Sequence, residues 1–171
     1  VACGGGAYGV SRQFDIGVTE GGPVYAVSYL DIPTDDEGNS AYSDPADGTG
    51  QELFDAAVSC DGQTITFNLN QSVPDFNYAV TLGFSAVPAG MAAGVEYGDK
   101  PMSNGPYKIS EYSKGKGGKL VLVRNENWSA DVDPYRKAYP DSWVVNFGVE
   151  ESVADQRVIQ SSGEDEYAMV Q

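Results

Sequence analysis

The amino-acid sequence predicts a mixed α/β fold of the α+β kind, with antiparallel hairpins and a β-α-β unit at its C-terminal end. Two hairpins are predicted because strand-like segments flank glycine-containing turns, one at Asp61-Gly62 and one at residues 114–118. The β-α-β unit is predicted because strand-like, helix-like and strand-like segments follow one another over residues 142–170. With 171 residues, 41% of them hydrophobic, the chain is long enough to bury a core.

The first predicted hairpin has the arms FDAAVSC, residues 54–60, and QTITFNLN, residues 63–70. An Asp-Gly pair between strand-like arms favours a type I′ turn, because that turn needs positive φ at both central positions. In the second arm, polar residues alternate with Ile65, Phe67 and Leu69. This alternation predicts one buried face and one solvated face.

The second predicted hairpin begins at Gly105-Pro106 and ends near Trp128. Its alternation predicts that Tyr107, Ile109 and Glu111 share one face, opposite Lys108, Ser110 and Tyr112. The turn between the arms is rich in lysine. In so acidic a chain, a solvated turn is favoured over a nucleic-acid-binding tip.

Helices are predicted in three places. Residues 5–14 have room for one or two helical turns, residues 72–84 place Phe76, Val80 and Phe84 four apart behind a proline, and residues 151–163 end at a glycine. Residues 24–32 are apolar and aromatic, and their pattern leaves a strand and a short helix both open. Residues 33–50 are rich in Pro, Gly, Asp and Ser, which is typical of a solvated loop and lacks the order of an EF-hand calcium loop.

The composition excludes several classes of function. The net charge of -15, from 25 acidic and 10 basic residues, argues against nucleic acid or anionic lipid as a partner. The chain has no histidine, which excludes Ser-His-Asp and Cys-His catalysis and histidine-based zinc sites. We assign no catalytic residue, metal or cofactor. A glycosidase using two carboxylates is the enzyme alternative, but no acidic residue lies in a recognisable apolar pocket motif.

The two cysteines, Cys3 and Cys60, are too few for a structural zinc site. One disulfide between them and two separate thiols are both open from the sequence. The segment VACGGG looks like the junction at which a bacterial lipoprotein is cleaved and lipidated, here at Cys3, although no apolar segment precedes it. No stretch approaches the ~20 apolar residues of a membrane-spanning helix.

A longer pattern resembles a known family. The order of motifs and elements in the second half of the chain resembles that of family 5 extracellular solute-binding proteins of ABC transporters. These are the oligopeptide- and dipeptide-binding lipoproteins. The matching features are Gly105-Pro106-Tyr107, a hairpin, Arg124-Asn125, Trp128, the strand with Phe147, the helix over 151–161 and Gly163. YGVSRQF, residues 8–14, and CDGQTITFNLNQSVPDFNYAV, residues 60–80, also fit. The chain departs from the family in its shorter length and in Gly6-Ala7, where the family has Asp-Val.

The resemblance implies a periplasmic-binding-protein-like (type II) first-lobe fragment. Residues 1–102 would form the inserted subdomain of the first lobe, and residues 103–171 the return hairpin and β-α-β unit of the main sheet. The implied function is the substrate-binding component of an ABC importer, with no catalysis. Its partners would be a peptide or other small solute and the ABC permease. The implied location is extracellular or periplasmic, with membrane anchoring of the parent protein.

Four residues are candidates for ligand binding: Tyr25, Tyr29, Ser103 and Asn104. The alternative function is a self-assembling extracellular structural or interaction module derived from such a protein. A lobe without its partner leaves sheet edges and apolar surface exposed, and such edges recruit other chains.

Overall fold

The structure is a computed structural model that describes residues 3–15, 17, 22–43, 48–91, 95–163, 166 and 168–169, apart from the side chain of residue 95. The chain divides into two compact units, Val1–Lys100 and Pro101–Gln171. Whether these units correspond to an inserted subdomain and a main sheet stays a prediction. None of the helices within the described ranges is both long and apolar enough to cross a lipid bilayer.

Unit 1 combines short helices with one small hairpin. Its helices are α1 (Cys3–Ser11), α2 (Tyr25–Tyr29), α3 (Gln51–Ala57) and α4 (Phe76–Gly83), with 3-10 turns at Arg12–Phe14 and Val95–Asp99. Strands β1 (Val58–Asp61) and β2 (Thr64–Phe67) pair antiparallel. The helices predicted near residues 5–14 and 72–84 are confirmed, although the second begins only after Pro74 and Asp75.

The core of unit 1 is built around three aromatic side chains. The ring of Tyr42 lies 5.1 Å from that of Phe14 and 4.8 Å from that of Phe54, measured between centroids. All three side chains are buried, and Val10 and Leu30 belong to the same cluster. Each large apolar side chain removed from water in this way contributes roughly 1.5–3 kcal/mol. This cluster therefore holds α1 and α3 together from segments far apart in the chain.

The prediction of a strand over residues 54–60 is wrong for its first half. Residues 54–57 form the last turn of α3, and β1 starts only at Val58. The apolar residues Phe54, Ala57 and Val58 are spaced by three and four positions, and all are buried on the same cluster. The side chain of Gln51 also donates to Asp55 Oδ1 at 2.8 Å, a helical i,i+4 contact. Helical spacing thus outweighed the strand-like composition.

The hairpin turn is also one residue further along than expected. Asp61 pairs with Thr64, so the two central residues are Gly62 and Gln63. Gly62 has φ at 59°, and Gln63 does not share that left-handed conformation. A type I′ turn needs positive φ at both positions, so the turn is a hairpin turn of another type.

The segment that the sequence left open, residues 24–32, is a short helix followed by an extended residue. After α2, Leu30 forms an antiparallel bridge with Leu69. The backbone N–H of Asp31 donates to the carbonyl of Asn68 at 2.9 Å, and Asn70 N–H donates to Tyr29 at 3.0 Å. These bonds join the end of α2 to the chain leaving β2.

Unit 2 contains a three-stranded antiparallel sheet in the order β3-β4-β5, followed by helix α5. The strands are β3 (Tyr107–Tyr112), β4 (Lys119–Arg124) and β5 (Ser142–Asn146), and α5 spans Glu151–Gln160. The predicted hairpin is confirmed, with Tyr107 opposite Arg124. The strand and helix predicted near residues 142–149 and 151–163 are confirmed as well.

A β-bulge between Ile109 and Glu111 corrects the predicted facing of β3. Glu111 pairs with Val121 and Tyr112 with Leu120, so Tyr112 shares the face of Ile109 and Glu111 lies on the opposite one. On that face the Glu111 carboxylate forms an ion pair with Lys119 Nζ at 3.0 Å. Strict alternation predicted that Glu111 shares the face of Ile109 and that Tyr112 lies opposite, because the alternation does not allow for the extra residue of a bulge.

The parallel pairing of a C-terminal β-α-β unit stays a prediction. The strand expected over residues 164–171 lies mainly outside the described residues, and Glu166, Ala168 and Met169 are not in a strand. Every strand pair described in unit 2 is antiparallel. Helix α5 contributes no buried residue.

Cys3 and Cys60 are joined by a disulfide that connects α1 to β1 across 57 positions of sequence. A sulfur atom in a disulfide cannot also carry a thioether-linked lipid. Lipidation at Cys3, which VACGGG suggested, is therefore incompatible with this structure.

Replacing both cysteines, as Cys3→Ser with Cys60→Ser, should lower the free energy of unfolding of unit 1 by about 2–4 kcal/mol, because the open chain gains conformational entropy when unfolded. Urea unfolding followed by circular dichroism measures this change. The single variant Ser59→Ala, at an exposed position beside the bridge, is the control. An unchanged unfolding midpoint in the double variant would contradict the structural role of the bridge.

Candidate functional site

Two of the sequence-predicted ligand residues, Tyr25 and Tyr29, lie side by side on α2. Four residues apart on a helix, their rings are on the same face. The ring centroids are 6.0 Å apart and the ring planes differ by 15°, so the rings are stacked. Both side chains are half-buried, which leaves part of each ring accessible.

This pair rests on a row of phenylalanines. The ring of Phe76 meets that of Tyr29 edge-on at 6.5 Å, and it packs in the same manner on Phe67 and Phe84, at 5.7 Å from each. At the other end of α4, Gly83 lies beside Tyr25: a Cβ at that position would be in ordinary van der Waals contact with Tyr25 Cδ2, at 3.6 Å. Packing against the phenylalanine rings therefore holds the tyrosine rings in a fixed orientation.

The other two candidates, Ser103 and Asn104, lie in an exposed loop of unit 2 just before β3. The hydroxyl of Ser103 accepts a hydrogen bond from the backbone N–H of Gly105 at 3.1 Å. The loop then enters the interior at Gly105 and Pro106, both of which are buried. Ser103 therefore shapes the turn, and Asn104 lies at its solvent-facing tip.

Asn125 fixes this loop in place. Its side chain is buried, and its Nδ2 donates to the carbonyls of Ser103 at 3.1 Å and Gly105 at 2.8 Å. Its backbone N–H donates to the carbonyl of Pro106 at 2.8 Å. One residue thus bonds three successive parts of the loop. In the sequence, Asn125 is recognisable only as part of the Arg124-Asn125 motif, and this role is not predictable there because the bonds join positions about 20 residues apart.

A second polar network borders the loop. Trp128 Nε1 donates to Asp133 Oδ2 at 3.0 Å, and Arg136 donates to the same carboxylate through Nε. The Arg136 guanidinium in turn covers Gly105, since a Cβ on Gly105 would lie 2.9 Å from Arg136 Nη1. The pKa of Asp133 lies below its ordinary value, chiefly because of the hydrogen bond from Trp128 and then those from Arg136.

A surface ion pair lies beside this region. Lys108 Nζ approaches the Glu126 carboxylate to 2.6 Å, and its hydrogen bond is the main cause of a lowered pKa of Glu126. Both side chains are substantially exposed, so water and salt screen the pair. Within the part of the chain that the structure describes, no group of three or more His, Cys, Asp or Glu side chains is arranged to bind a metal ion.

The four candidates therefore form two local sets, the tyrosine pair in unit 1 and the Ser103-Asn104 loop in unit 2. Asn125, which is buried, supports the loop, and half-buried phenylalanines support the tyrosine pair; the sequence did not single out these residues for that purpose. Ligand contact by any of the four stays a prediction.

Replacing Asn125 by Ala should lower the free energy of unfolding of unit 2 by about 2–3 kcal/mol, because the part-buried carbonyl of Ser103 and the buried carbonyl of Gly105 lose their donor. Urea unfolding followed by tryptophan fluorescence measures the loss, since both tryptophans lie in unit 2. Asn127→Ala removes an exposed side chain of the same type and serves as the control. Equal unfolding midpoints for the two variants would show that Asn125 does not hold the loop.

Acidification should release the Asp133 network only below the ordinary titration range of an aspartate. Because the folded-state pKa is lowered, the carboxylate stabilises the fold at pH above the unfolded pKa, and this stabilisation is lost as pH falls through the folded pKa. Trp128 emission, measured in a Trp143→Phe background, reports the change. In the Asp133→Asn variant the same transition should be absent, and its persistence would assign the change to another group.

Comparison with known proteins gives a family match and a similar solved structure. Residues 25–166 match the family described as bacterial extracellular solute-binding proteins, family 5 Middle. A solved structure titled "Clavulanic acid biosynthesis oligopeptide binding protein 2" is similar in fold, with a TM-score of 0.79 and 30% sequence identity. The similarity covers 94% of this chain but 28% of that protein, so the chain spans less than a third of its length. No curated protein gives a significant match.

The structural match is to a mixed α+β part of a larger protein, and its antiparallel sheets agree with the predicted hairpins. Solute-binding proteins of this kind bind their solutes without catalysis, so the enzyme alternative is set aside. The family match covers most of the chain, from α2 to beyond α5. This chain belongs to the bacterial extracellular solute-binding proteins of family 5.

Proposed function

We propose that this chain is part of the substrate-binding component of an ABC importer and that its solutes are oligopeptides. The observation that carries the proposal is the family membership, together with similarity to a protein named for oligopeptide binding. In this proposal the chain is a first-lobe fragment of a type II periplasmic-binding-protein fold. Residues 1–102 form the inserted subdomain, and residues 103–171 form the return hairpin with the β-α-β unit.

The exposed features of each unit suit an extended peptide. A peptide offers apolar side chains and a regular row of backbone donors and acceptors. The stacked rings of Tyr25 and Tyr29 offer apolar faces with phenolic hydroxyls at their edges. Ser103 and Asn104 offer polar groups on a loop that Asn125 holds rigidly. Each set alone covers only part of a ligand, which agrees with ligand binding between two lobes in the whole protein.

The proposed location is extracellular or periplasmic, with an ABC permease as the protein partner. The disulfide between Cys3 and Cys60 supports this location, because such bonds persist in oxidising compartments. Anchoring of the parent protein to the membrane belongs to the same proposal. The anchoring residue is not Cys3 while its sulfur is engaged with Cys60.

A second candidate function is a self-associating extracellular module. The observation that favours it is the exposure of large apolar side chains in unit 2, among them Val144 at 58% and Ile159 at 80%. Surface of this kind recruits other chains when it is not covered. In the first proposal the same surface packs against the rest of the binding protein.

Amide chemical shifts in a 15N-labelled sample test the first proposal. Tri-, tetra- and penta-alanine are expected to shift the amide signals of Tyr25, Tyr29, Ser103 and Asn104, with affinity weaker than about 1 mM because the chain supplies only part of a cleft. Maltose, a solute of another class, should leave these signals unchanged.

The double variant Tyr25→Ala with Tyr29→Ala should lose the response in unit 1. Its control, Tyr135→Ala with Tyr139→Ala, removes two tyrosines that are 90% and 83% exposed in unit 2. Circular dichroism establishes that both variants fold. The proposal fails if no peptide shifts the signals at millimolar concentration, or if maltose shifts them and the peptides do not.

A further inference from the structure

We propose that Asn104 is a site of spontaneous covalent modification, at which its side chain cyclises onto the Gly105 nitrogen and hydrolyses to aspartate and isoaspartate. Asn104 is exposed at the tip of the loop before β3, so water reaches its side chain. It is followed by glycine, the residue that leaves the attacking nitrogen least hindered, because it has no Cβ. Every other asparagine in the chain is followed by a residue with a side chain.

The packing of unit 2 brings a guanidinium close to the glycine that makes this asparagine reactive. Arg136 covers position 105 so closely that a Cβ there would lie 2.9 Å from its Nη1. Gly105 is buried, and a larger residue there would shift the end of the Arg136 side chain, which is flexible and more than half exposed.

Two hydrogen bonds hold the backbone at Gly105 in place. The Gly105 N–H donates to Ser103 Oγ at 3.1 Å, and its carbonyl accepts from Asn125 Nδ2 at 2.8 Å. The proton of the Gly105 nitrogen is therefore engaged with Ser103 Oγ, and this bond must open before the nitrogen can attack the exposed Asn104 carboxamide. The neighbouring guanidinium favours negative charge developing at this position.

The reaction consumes only water. The Gly105 nitrogen forms a bond to Asn104 Cγ, the bond from Cγ to Nδ2 breaks, and the amide proton of Gly105 leaves with the NH₂ group as ammonia. Water then opens the five-membered succinimide. Cleavage at Cγ gives aspartate, and cleavage at the backbone carbonyl of residue 104 gives isoaspartate, in which the main chain passes through the former side chain.

The isoaspartate product breaks the hold of Asn125 on the loop. Asn125 Nδ2 bonds the carbonyls of Ser103 and Gly105, which flank residue 104 on both sides. An extra main-chain carbon between them changes their spacing, so one donor group no longer reaches both. The modification also places a carboxylate at a candidate ligand residue. Its effect on solute binding rests on the proposed function, whereas the chemistry does not.

Peptide mapping by mass spectrometry tests the proposal on the folded chain held at mildly alkaline pH and sampled over time. We expect the mass increase of amide-to-acid conversion at Asn104 to appear at least several-fold faster than at Asn39, which is also exposed but precedes Ser40. Two products of equal mass, aspartyl and isoaspartyl, should separate chromatographically. Peptide binding is not part of this measurement, so its result is independent of the proposed function.

Two controls complete the test. Asn104→Gln, which cannot form the five-membered ring readily and changes only an exposed side chain, should leave the peptide spanning residues 103–108 unmodified. The same chain in urea gives the rate without the fold. Conversion at Asn104 no faster than at Asn39 in the folded chain would overturn the proposal, and so would selectivity that is seen only in urea, since the folded loop would then protect the residue.

Discussion

The burial of one carboxamide, that of Asn125, is the constraint on which the described loop of unit 2 depends. A buried amide is stable only when its donors and acceptor are bonded, and here Nδ2 is shared by two carbonyls while Oδ1 accepts from the backbone of Asn127. The result is a fixed entrance to β3 that presents Ser103 and Asn104 to solvent. Arg136, bonded to Asp133, completes the enclosure over Gly105. The position of this loop depends both on its connection to β3 and on the hydrogen bonds of the buried Asn125 side chain.

In unit 1, aromatic packing holds the candidate tyrosines in place, as hydrogen bonds hold the loop in unit 2. The rings of Phe14, Tyr42 and Phe54 belong to the buried cluster, and a row of half-buried rings that includes Tyr25, Tyr29, Phe76 and Phe84 continues from it, with Phe76 and Phe84 packed against the cluster. Edge-to-face contacts of this type contribute about 0.5–1.5 kcal/mol each beyond their buried area. The half-buried tyrosines of α2 are therefore both structural and accessible. This combination leaves a fixed aromatic surface partly open to solvent.

Membership of family 5 gives a physical account of the apolar surface that the chain exposes. Helix α5 buries none of its residues, and β5 carries Val144 with more than half of its surface in water. The similar solved structure is more than three times as long as this chain, and its additional segments are candidates to cover such a surface. The same exposure underlies the self-association alternative, because the hydrophobic effect does not distinguish between a further segment of a longer protein and another copy of this chain.

The sequence by itself determined the class of this protein: an α+β chain with one hairpin near Gly62 and another at residues 114–118, no histidine chemistry, and the Gly-Pro-Tyr to Trp128 pattern of its family. These features depend on local turn chemistry, periodicity and residue type, which neighbouring residues decide. The tertiary structure decided the rest. In unit 1, residues 54–57 are helical in contact with Phe14 and Tyr42, and a disulfide joins Cys3 to Cys60. In unit 2, the bulge places Tyr112 on the face of Ile109, and Asn125 bonds three backbone carbonyls. Each of these outcomes depends on residues distant in sequence, and their mutual distances are set only when the chain has folded.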